Sequence, residues 1–327
     1  PPYVCNGCSG IHVCTLNKWQ YSPSNADQEY RTILKESREG FNLTEAELKS
    51  IDECISPLIQ KGQSIHHACI HNRDSIIVSE RTVERLISDC TLTARNIDRQ
   101  RACKLKPRKN TKKVAKVERC CRNGRTYQDY LAYGKKYPDT PVVQMDSVIG
   151  RVGGKVLLTF IFPKAELMLA FLRDSNTSQS VIDCINRLYD GLGHDDFCKL
   201  FPVLLTDNGS EFSHPTSIEF FNEVKRRTQV FYCDPMASYQ KPQVERNHEF
   251  IRLVLPQGTS FDTLTQSAVD CLMSHINSYS RKGLGDKSPF EMFAFLYGDA
   301  LLEKLLLLVC QQVVPHNNII LKPSLLK

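Results

Sequence analysis

The sequence predicts an α/β core, a mixed five-stranded sheet flanked by helices, preceded by an all-α region. Three observations carry this prediction. From residue 138 onward, short apolar runs of strand length alternate with segments in which apolar residues recur at helical spacing. Between residues 43 and 89 the helical spacing occurs alone. Acidic residues interrupt or follow two of the predicted strands and are the first indication of a functional site.

The composition allows more than one folded unit. The chain has 327 residues, of which 41% are hydrophobic, enough for at least one large core. No apolar run approaches the roughly eighteen residues of a membrane span, so we expect none. We divide the chain into a cysteine-containing segment, a helical region, a basic linker, an α/β core and a C-terminal tail, with bounds 1–42, 43–98, 99–137, 138–298 and 299–327.

The N-terminal segment contains closely spaced thiols. Cys5, Cys8 and Cys14, with His12 among them, are the residue types of a structural zinc knuckle, although four ligands in so short a loop would be cramped. Ordinary thiols in an irregular segment are the alternative. The chain has fourteen Cys and begins with neither Met nor an export signal. We therefore expect reduced thiols, a cytoplasmic location and a start inside a longer protein.

Three short helices are predicted between residues 43 and 89. Thr44 and Ser79 are suitable N-caps for the first and the third, and apolar residues follow each cap at helical spacing. This order is that of a helix-turn-helix unit, whose last helix enters the major groove of DNA. Arg81, Thr82 and Arg85 would then face bases or phosphates. The connection before the third helix is long for a tight turn, so a generic helical bundle stays open.

Positive charge is concentrated between the helical region and the core. Residues 99–125 hold twelve Lys or Arg and one acid, a net charge of +11, whereas the whole chain carries +6. Such a run is commonly a solvated linker. It is also the electrostatic footprint expected for binding a nucleic-acid backbone. On the second interpretation we expect Lys109, Lys112 and Lys113 to contact DNA.

The core has five predicted strands. The runs PVVQMDSV, KVLLTFIFP and AELMLAFLRD have strand length, and the glycines between the first two suit an antiparallel meander. A helix at SVIDCINRLYDGLG, a strand at FPVLLT, a helix near IEFFNEVK, a strand at TQVFYCD and a helix from Pro242 follow. Three strands, helix, strand, helix, strand, helix is the order of a ribonuclease H-like fold. In that fold the first and fourth strands are neighbours.

Two aspartates occupy the strands that this fold places side by side. Asp146 interrupts the first strand and would be costly to bury without a partner. Asp207 follows the fourth strand, where the sequence DNG also suits a simple Asx turn. Glu211, four residues further on, is a supporting ligand at best. Carboxylates are the ligands that hard divalent cations prefer, and three of them can hold two ions against a phosphate.

A third carboxylate comes from the last predicted helix of the core. Glu245 falls in its first turn, but Glu249 one turn later and Asp234 at the end of the fifth strand are rivals that spacing alone does not separate. Arg246 and Arg252 on the same helix are candidate phosphate contacts. A solvated helix surface is the alternative for both arginines.

Nearly the whole chain resembles a DDE transposase of the insertion sequence 30 family, bacterial elements that move by cutting and joining DNA. The most specific matches are VVQMDSVIGRVGGKVLLT, PVLLTDNGSEF and FYCDPMASYQKPQVERNHEFIR, with weaker ones at GRTYQDY and KSPFEMF. The resemblance implies that Asp146, Asp207 and Glu245 are the catalytic, metal-binding triad. Two departures are visible. The usual N-terminal helix-turn-helix is missing, as in an N-terminally truncated copy, and Pro242 replaces a common glycine.

The resemblance implies DNA transposition as the function. Two Mg²⁺ or Mn²⁺ ions on the triad would activate water to cut a strand at the terminal inverted repeats, and the freed 3′-hydroxyl would attack target DNA. The partners would be double-stranded DNA and further copies of the chain, in the cytoplasm of a bacterium. A ribonuclease H-like nuclease without strand transfer and a catalytically inactive DNA-binding regulator are the alternatives.

Overall fold

The computed structural model of the protein describes residues 4–37, 40–100, 122–221, 225–235 and 237–326. Contacts divide the chain into two compact units, Pro1–Lys49 and Ser50–Lys327. The first unit contains helix α1 (Pro23–Glu36), which buries none of its residues. Helix α2 (Glu45–Gln60) begins in the first unit and continues into the second. No helix in these ranges is long and apolar enough to cross a membrane.

The helical region has the three helices that the sequence predicts: α2, α3 (Ile65–His71) and α4 (Glu80–Ser88). The Thr44 hydroxyl accepts a hydrogen bond from the backbone N–H of Glu47 at 3.3 Å. Likewise, the Ser79 hydroxyl accepts one from the N–H of Thr82 at 3.2 Å. Both predicted caps are confirmed, because each hydroxyl satisfies a backbone donor that the helix itself leaves unpaired.

The rest of the second unit combines helices and strands. In chain order its elements are α5 (Tyr127–Lys136), β1 (Val142–Ile149), β2 (Val156–Phe162), β3 (Leu167–Arg173), α6 (Ser178–Leu192), α7 (His194–Leu200), β4 (Val203–Thr206), α8 (Pro215–Glu219), β5 (Phe220–Phe221), β6 (Lys225–Arg226), β7 (Gln229–Tyr232), α9 (Pro242–Val254), α10 (Gln266–Ser278), α11 (Pro289–Tyr297) and α12 (Asp299–Leu308). Strands β1, β2, β3, β4 and β7 coincide with the five predicted strands, apart from short shifts at their ends.

These five strands form one sheet in the order β3-β2-β1-β4-β7. Strand β2 is antiparallel to both β1 and β3, whereas β4 is parallel to both β1 and β7. An antiparallel meander continued by parallel strands is the ribonuclease H-like arrangement, so the predicted fold class is confirmed. Because β1 and β4 are parallel neighbours, their carboxyl ends meet at the same edge of the sheet.

Helices cover both faces of the sheet. On β2, Leu158 packs in the core that includes α6, α7, α11 and α12, whereas Leu157 packs in the core that includes α9 and α10. On β1, Met145 belongs to the first core and Val148 to the second. Side chains alternate along a strand, so Asp146 points to the face that α9 covers.

The prediction of a helix near IEFFNEVK is wrong at Phe220, Phe221 and Lys225, which lie in strands. Helix α8 ends at Glu219, and β5 then pairs antiparallel with β6 in a separate two-stranded ribbon. Buried Glu219 lies 2.7 Å from Arg125 and accepts a hydrogen bond from the N–H of Val230 at 3.0 Å. These tertiary contacts hold the chain at Glu219 and override the helical pattern of the following residues.

Candidate active site

Asp146 and Asp207 lie side by side although they are distant in the sequence. In the parallel pair of β1 and β4, Gln144 pairs with Leu205. The same register carried two residues further brings Asp146 next to Asp207, which directly follows β4. The structure therefore brings the two predicted aspartates together, and the cause is the strand register.

The surroundings of Asp146 connect it to α9. Asp146 pairs across to Thr159 of β2, whose hydroxyl lies 2.8 Å from His248 Nε2 and donates to the Asp146 carbonyl at 3.1 Å. His248 Nδ1 lies 3.9 Å from Asp146 Oδ2. Burial, followed by the positive charges of Lys241 and Arg252, lowers the pKa of His248 to about 3. His248 is therefore neutral, and its contact with Asp146 is not an ion pair.

Lys241 supplies positive charge to the aspartates. Its Nζ lies 3.6 Å from Asp146 Oδ1 and donates a hydrogen bond to the Met145 carbonyl at 3.3 Å. Burial raises the pKa of Asp146 and of Asp207, and Lys241 opposes the shift in both. The charge of Asp146 raises the pKa of Asp207 further. An ammonium group thus stabilises two carboxylates that burial and repulsion disfavour as anions.

Glu211 is a third carboxylate at this pair, a position that the sequence indicated only weakly. It is 6% exposed in the short turn after Asp207. Burial is the main cause of the raised pKa of Asp146 and Asp207, and the negative charge of Glu211 raises both pKa values further. Gly209 leaves room for it, since a Cβ there would lie 2.5 Å from Glu211 Oε2. The Gly209 N–H donates to Asp207 Oδ1 at 3.0 Å, so the predicted Asx turn coexists with the site.

Glu245 lies in the first turn of α9 and is exposed. Among the described residues, Glu245 is not gathered with the two aspartates into a group of three within metal-binding distance. Lys241, His248 and Arg252 all approach β1, the last by donating to the final carbonyl of that strand at 3.0 Å. Helical periodicity places Glu245 beside this face of α9 and Glu249 further from it. The assignment of Glu245 as the third ligand stays a prediction.

Two further residues near this site are engaged elsewhere. Asp234, the rival at the end of β7, accepts a hydrogen bond from Gln240 Nε2 at 2.8 Å. Arg246, a predicted phosphate contact, has a side chain that is 63% exposed and lies 3.4 Å from Glu166. Arg246 can therefore reach a ligand only by sharing or leaving this partner.

The predicted DNA contacts on α4 lie at the surface. Arg81 and Arg85 are exposed, and Thr82 is half-buried. Arg81 also lines an open groove of about 680 Å³ together with Arg99. Three predicted contacts fall outside the described residues: Lys109, Lys112 and Lys113.

The cysteines of the N-terminal segment are not assembled into a ligand set. Cys5, Cys8 and Cys14 are half-buried free thiols. The structure describes all three, yet it does not gather them as a group within metal-binding distance. Cys5 Sγ instead accepts a hydrogen bond from the N–H of Trp19 at 3.3 Å. Zinc binding by this segment stays a prediction.

The donors at the aspartate pair fit a hard divalent cation. Asp146 and Asp207 present carboxylate oxygens, the ligand type that Mg²⁺ and Mn²⁺ prefer, although the described residues do not gather three carboxylates within metal-binding distance. The raised pKa of both aspartates shows that additional positive charge would be favourable there. Sequence inspection alone did not find Lys241, although its place directly before the Pro242 that starts α9 is a visible clue.

The sheet is ribonuclease H-like, and two acids lie on neighbouring parallel strands within it. No protein-family model matches the chain. "Putative integrase ORF3" of Spiroplasma virus SpV1-R8A2 B is 27% identical over 151 residues, which cover 46% of the chain and 45% of that protein. The transposase for insertion sequence element IS4351 of Bacteroides fragilis is 29% identical over 94 residues, which cover 29% of the chain and 28% of that protein.

Transposase InsI for insertion sequence element IS30A of Escherichia coli strain K12 is 30% identical over 89 residues, which cover 27% of the chain and 22% of that protein. Among solved structures, the catalytic core domain of BIV integrase is 23% identical with a TM-score of 0.36, covering 48% of this chain and 95% of that one. The chain spans less than half the length of each of these three curated relatives. They confirm the resemblance to insertion-sequence transposases that the motifs indicate.

Proposed function

We propose that the protein is a DDE-type transposase, which cuts DNA at the ends of an insertion element and joins the freed ends to target DNA. The observation that carries the proposal is the half-buried pair of Asp146 and Asp207 on neighbouring parallel strands, with Lys241 as compensating cation. Similarity to insertion-sequence transposases supports the same class of reaction. The element ends and the target would be double-stranded DNA.

Different residues of the chain would bind the metal ions and stabilise the aspartates. Asp146 and Asp207 would hold Mg²⁺ or Mn²⁺, and Glu245 would complete the site for two ions. Such ions, when bound, make water a stronger nucleophile and stabilise the leaving oxygen. Lys241 stabilises the aspartates as anions before a cation binds, and its ammonium can afterwards pair with a phosphate of the DNA. Neutral His248 is held by the Thr159 hydroxyl and packs beside the Asp146 carboxylate, with Nδ1 at 3.9 Å from Oδ2.

DNA contacts are proposed on both sides of the basic run. Arg81, Thr82 and Arg85 would contact the duplex from α4, the last helix of the proposed helix-turn-helix. Arg246 and Arg252 would contact phosphates from α9, beside the aspartates. Further contacts would come from Lys109, Lys112 and Lys113. We further propose that copies of the chain act together on paired ends, in the bacterial cytoplasm.

A nicking and joining assay tests the proposal. The full chain is incubated with Mg²⁺ or Mn²⁺, a duplex carrying the inverted repeats that flank the coding sequence, and a supercoiled target plasmid. We expect metal-dependent cuts that leave 3′-hydroxyl ends, followed by covalent joining of those ends to the plasmid, and EDTA should abolish both. Cutting without joining would support the ribonuclease H-like nuclease. Binding without cutting in either metal would support the inactive regulator.

A further inference from the structure

A cluster of three histidines shares no residue with the aspartate site. His67 and His71 are one turn apart on α3, and His316 belongs to the segment that follows α12. One potential ligand atom from each side chain lies within 4.8 Å of the other two. Side chains one helical turn apart lie on the same face of a helix, so His67 and His71 can act on one ligand.

The buried ring of His67 lacks hydrogen-bond partners. It is 1% exposed, and within the described ranges neither Nδ1 nor Nε2 forms a hydrogen bond. Nδ1 of His316 is likewise buried without a partner. A neutral imidazole carries one donor and one acceptor, and leaving both buried and unpaired costs free energy. A metal ion that accepts a nitrogen lone pair would offset part of this cost.

His67 and His71 have the protonation state that metal binding requires. Burial, followed by the neighbouring His71 and His316, lowers the pKa of His67 to about 3. The backbone carbonyls of His316 and Ser280 oppose this shift, although neither makes a hydrogen bond of normal geometry with the ring. Burial also lowers the pKa of His71. Neutral imidazole is the form that ligates metals.

Ring packing shows what must move when an ion binds. His67 stacks on Tyr279 with ring centroids 4.3 Å apart, and His71 stacks on His316 at 3.5 Å with an interplanar angle of 8°. Parallel stacked rings cannot both direct a lone pair at one ion, so one must rotate about its Cβ–Cγ bond. Ser280 Oγ lies 2.7 Å from His71 Nε2 and holds that ring. His316, half-buried in its short turn, is therefore the ring that rotates.

We propose that His67, His71 and His316 form a zinc-binding site, with water in the fourth position. Three imidazole nitrogen donors match the preference of Zn²⁺, whereas Mg²⁺ prefers oxygen ligands and would not compete. The hydrogen bond between Ser280 and His71 orients the ligand, as the outer partners of metal-bound histidines do. The site does not depend on the proposed function.

The ion would strengthen an existing contact between distant parts of the second unit. Gln63, between α2 and α3, donates from Nε2 to the carbonyls of His316 at 2.8 Å and Ile319 at 3.0 Å. The N–H of Leu321 also donates to the Lys61 carbonyl at 2.9 Å. Zinc would add a cross-link at the same place, so it should stabilise the C-terminal segment against the helical region.

Metal titration of the full chain tests the site. The protein is stripped with a chelator and titrated with Zn²⁺ by calorimetry in excess Mg²⁺, which occupies carboxylate sites. We expect binding of Zn²⁺ together with a rise in Tm. His71→Ala and His316→Ala should each weaken the affinity by on the order of 100-fold. His275→Ala is the matched control: its Nδ1 accepts a hydrogen bond from the Ile320 N–H at 3.0 Å, so the variant loosens the same segment without removing a ligand.

Co²⁺ as a probe distinguishes this site from the N-terminal thiols. Bound by imidazoles, Co²⁺ gives visible d–d absorption without the near-ultraviolet charge-transfer bands that Cys5, Cys8 and Cys14 would produce. Equal Zn²⁺ affinity in the parent and both alanine variants would overturn the proposal, and so would thiolate bands that account for all bound Co²⁺. If His316→Ala does not fold, His316→Gln repeats the test, since it keeps a polar side chain at this half-buried position.

Discussion

Two groups of partly or fully buried titratable side chains in one compact unit differ in how their burial is compensated. At the sheet, burial raises the pKa of Asp146 and Asp207, and Lys241 places a positive charge 3.6 Å from the first. At α3, burial lowers the pKa of His67 to about 3, and its ring stays neutral without hydrogen-bond partners in the described residues. In the first group the free-energy cost comes from negative charge held away from water. In the second it comes from ring nitrogens that lack hydrogen-bond partners.

The difference indicates what each group can bind. Ionised carboxylates attract hard cations that keep exchangeable positions for water and phosphate, which suits catalysis. Neutral imidazoles bind a borderline cation through lone pairs, which suits a persistent cross-link. A lysine from a neighbouring element can compensate the negative charge of the aspartates when no metal ion is bound. An unpaired imidazole nitrogen needs a directed partner, so the histidine group should respond more specifically to metal.

The largest expected effect comes from Asp207→Asn, which keeps the shape of the side chain and removes its charge. DNA cutting and joining should fall by at least about 10³-fold, because the site loses a charged ligand. Repulsion with Asp146 also disappears, so the free energy of unfolding in EDTA should stay equal or rise by about 1 kcal/mol in urea titrations. Full cutting and joining by this variant would falsify the metal-site assignment. Asp234→Asn is the matched control and should keep its activity.

Glu245→Gln compared with Glu249→Gln decides which acid of α9 completes the aspartate site. We expect the first substitution to reduce cutting by about 10²-fold and the second to leave it within about threefold, because Glu245 lies nearer the face that approaches β1. Both rates are measured in the nicking assay at saturating Mn²⁺. The reverse ranking would transfer the role to Glu249.

Lys241→Met tests whether the aspartates need a compensating charge. Without metal, the free energy of unfolding should fall by about 2 kcal/mol, because two half-buried carboxylates lose their nearby cation. Added Mn²⁺ should restore part of that loss, since it supplies the missing charge. Urea titrations with and without Mn²⁺ measure both effects, with exposed Lys164→Met as control. A variant as stable as the parent in EDTA would show that Lys241 is not the compensating group.

The pair of substitutions Arg81→Ala and Arg85→Ala asks whether the region around the histidines contacts DNA, because α4 packs on α3. Together they should weaken DNA binding by about tenfold near 0.15 M salt and lower the salt slope by about two, roughly one for each phosphate contact. Fluorescence anisotropy over a salt series gives both values. An unchanged slope would favour the generic helical bundle.

The smallest expected effect is on metal-free stability in His67→Phe. The apolar ring preserves stacking on Tyr279 and removes two unpaired nitrogens, so the free energy of unfolding should be equal or up to about 1 kcal/mol higher. Zn²⁺ should no longer raise Tm. Thermal and urea unfolding with and without Zn²⁺ measure this. A clear loss of stability in the metal-free variant would mean that the nitrogens have partners. Both His67→Phe and Lys241→Met would then lower the metal-free stability, and the two groups would no longer differ in this respect.

Much of the fold could be predicted because its elements have strong local patterns. The strands of the sheet are apolar runs, Ser79 and Thr44 cap helices as predicted, and Asp146 and Asp207 stand where the strand order requires. The run IEFFNEVK has an equally helical pattern, yet buried Glu219 and its partner Arg125 end the helix there. Local pattern does not report such a contact.

Parts of the candidate site could not be predicted because they depend on distant partners. The sequence indicated Glu211 only as a supporting ligand in a turn, but the fold buries its charge near both aspartates. His67 and His71 have visible helical spacing, yet nothing near them in the sequence indicates His316. The proposal of Glu245 as the third ligand rests on the resemblance and on its place along α9.

By itself the sequence determined the order of the five strands of the main sheet, the ribonuclease H-like fold class and the two aspartates of that sheet. Side-chain period and helix caps act within a few residues, so they are readable locally. Only the tertiary structure decided that Lys241 compensates Asp146, and that His316 joins His67. Charges and lone pairs meet only after the register of β1 and β4, and the docking of the C-terminal segment on Gln63, have brought remote residues together.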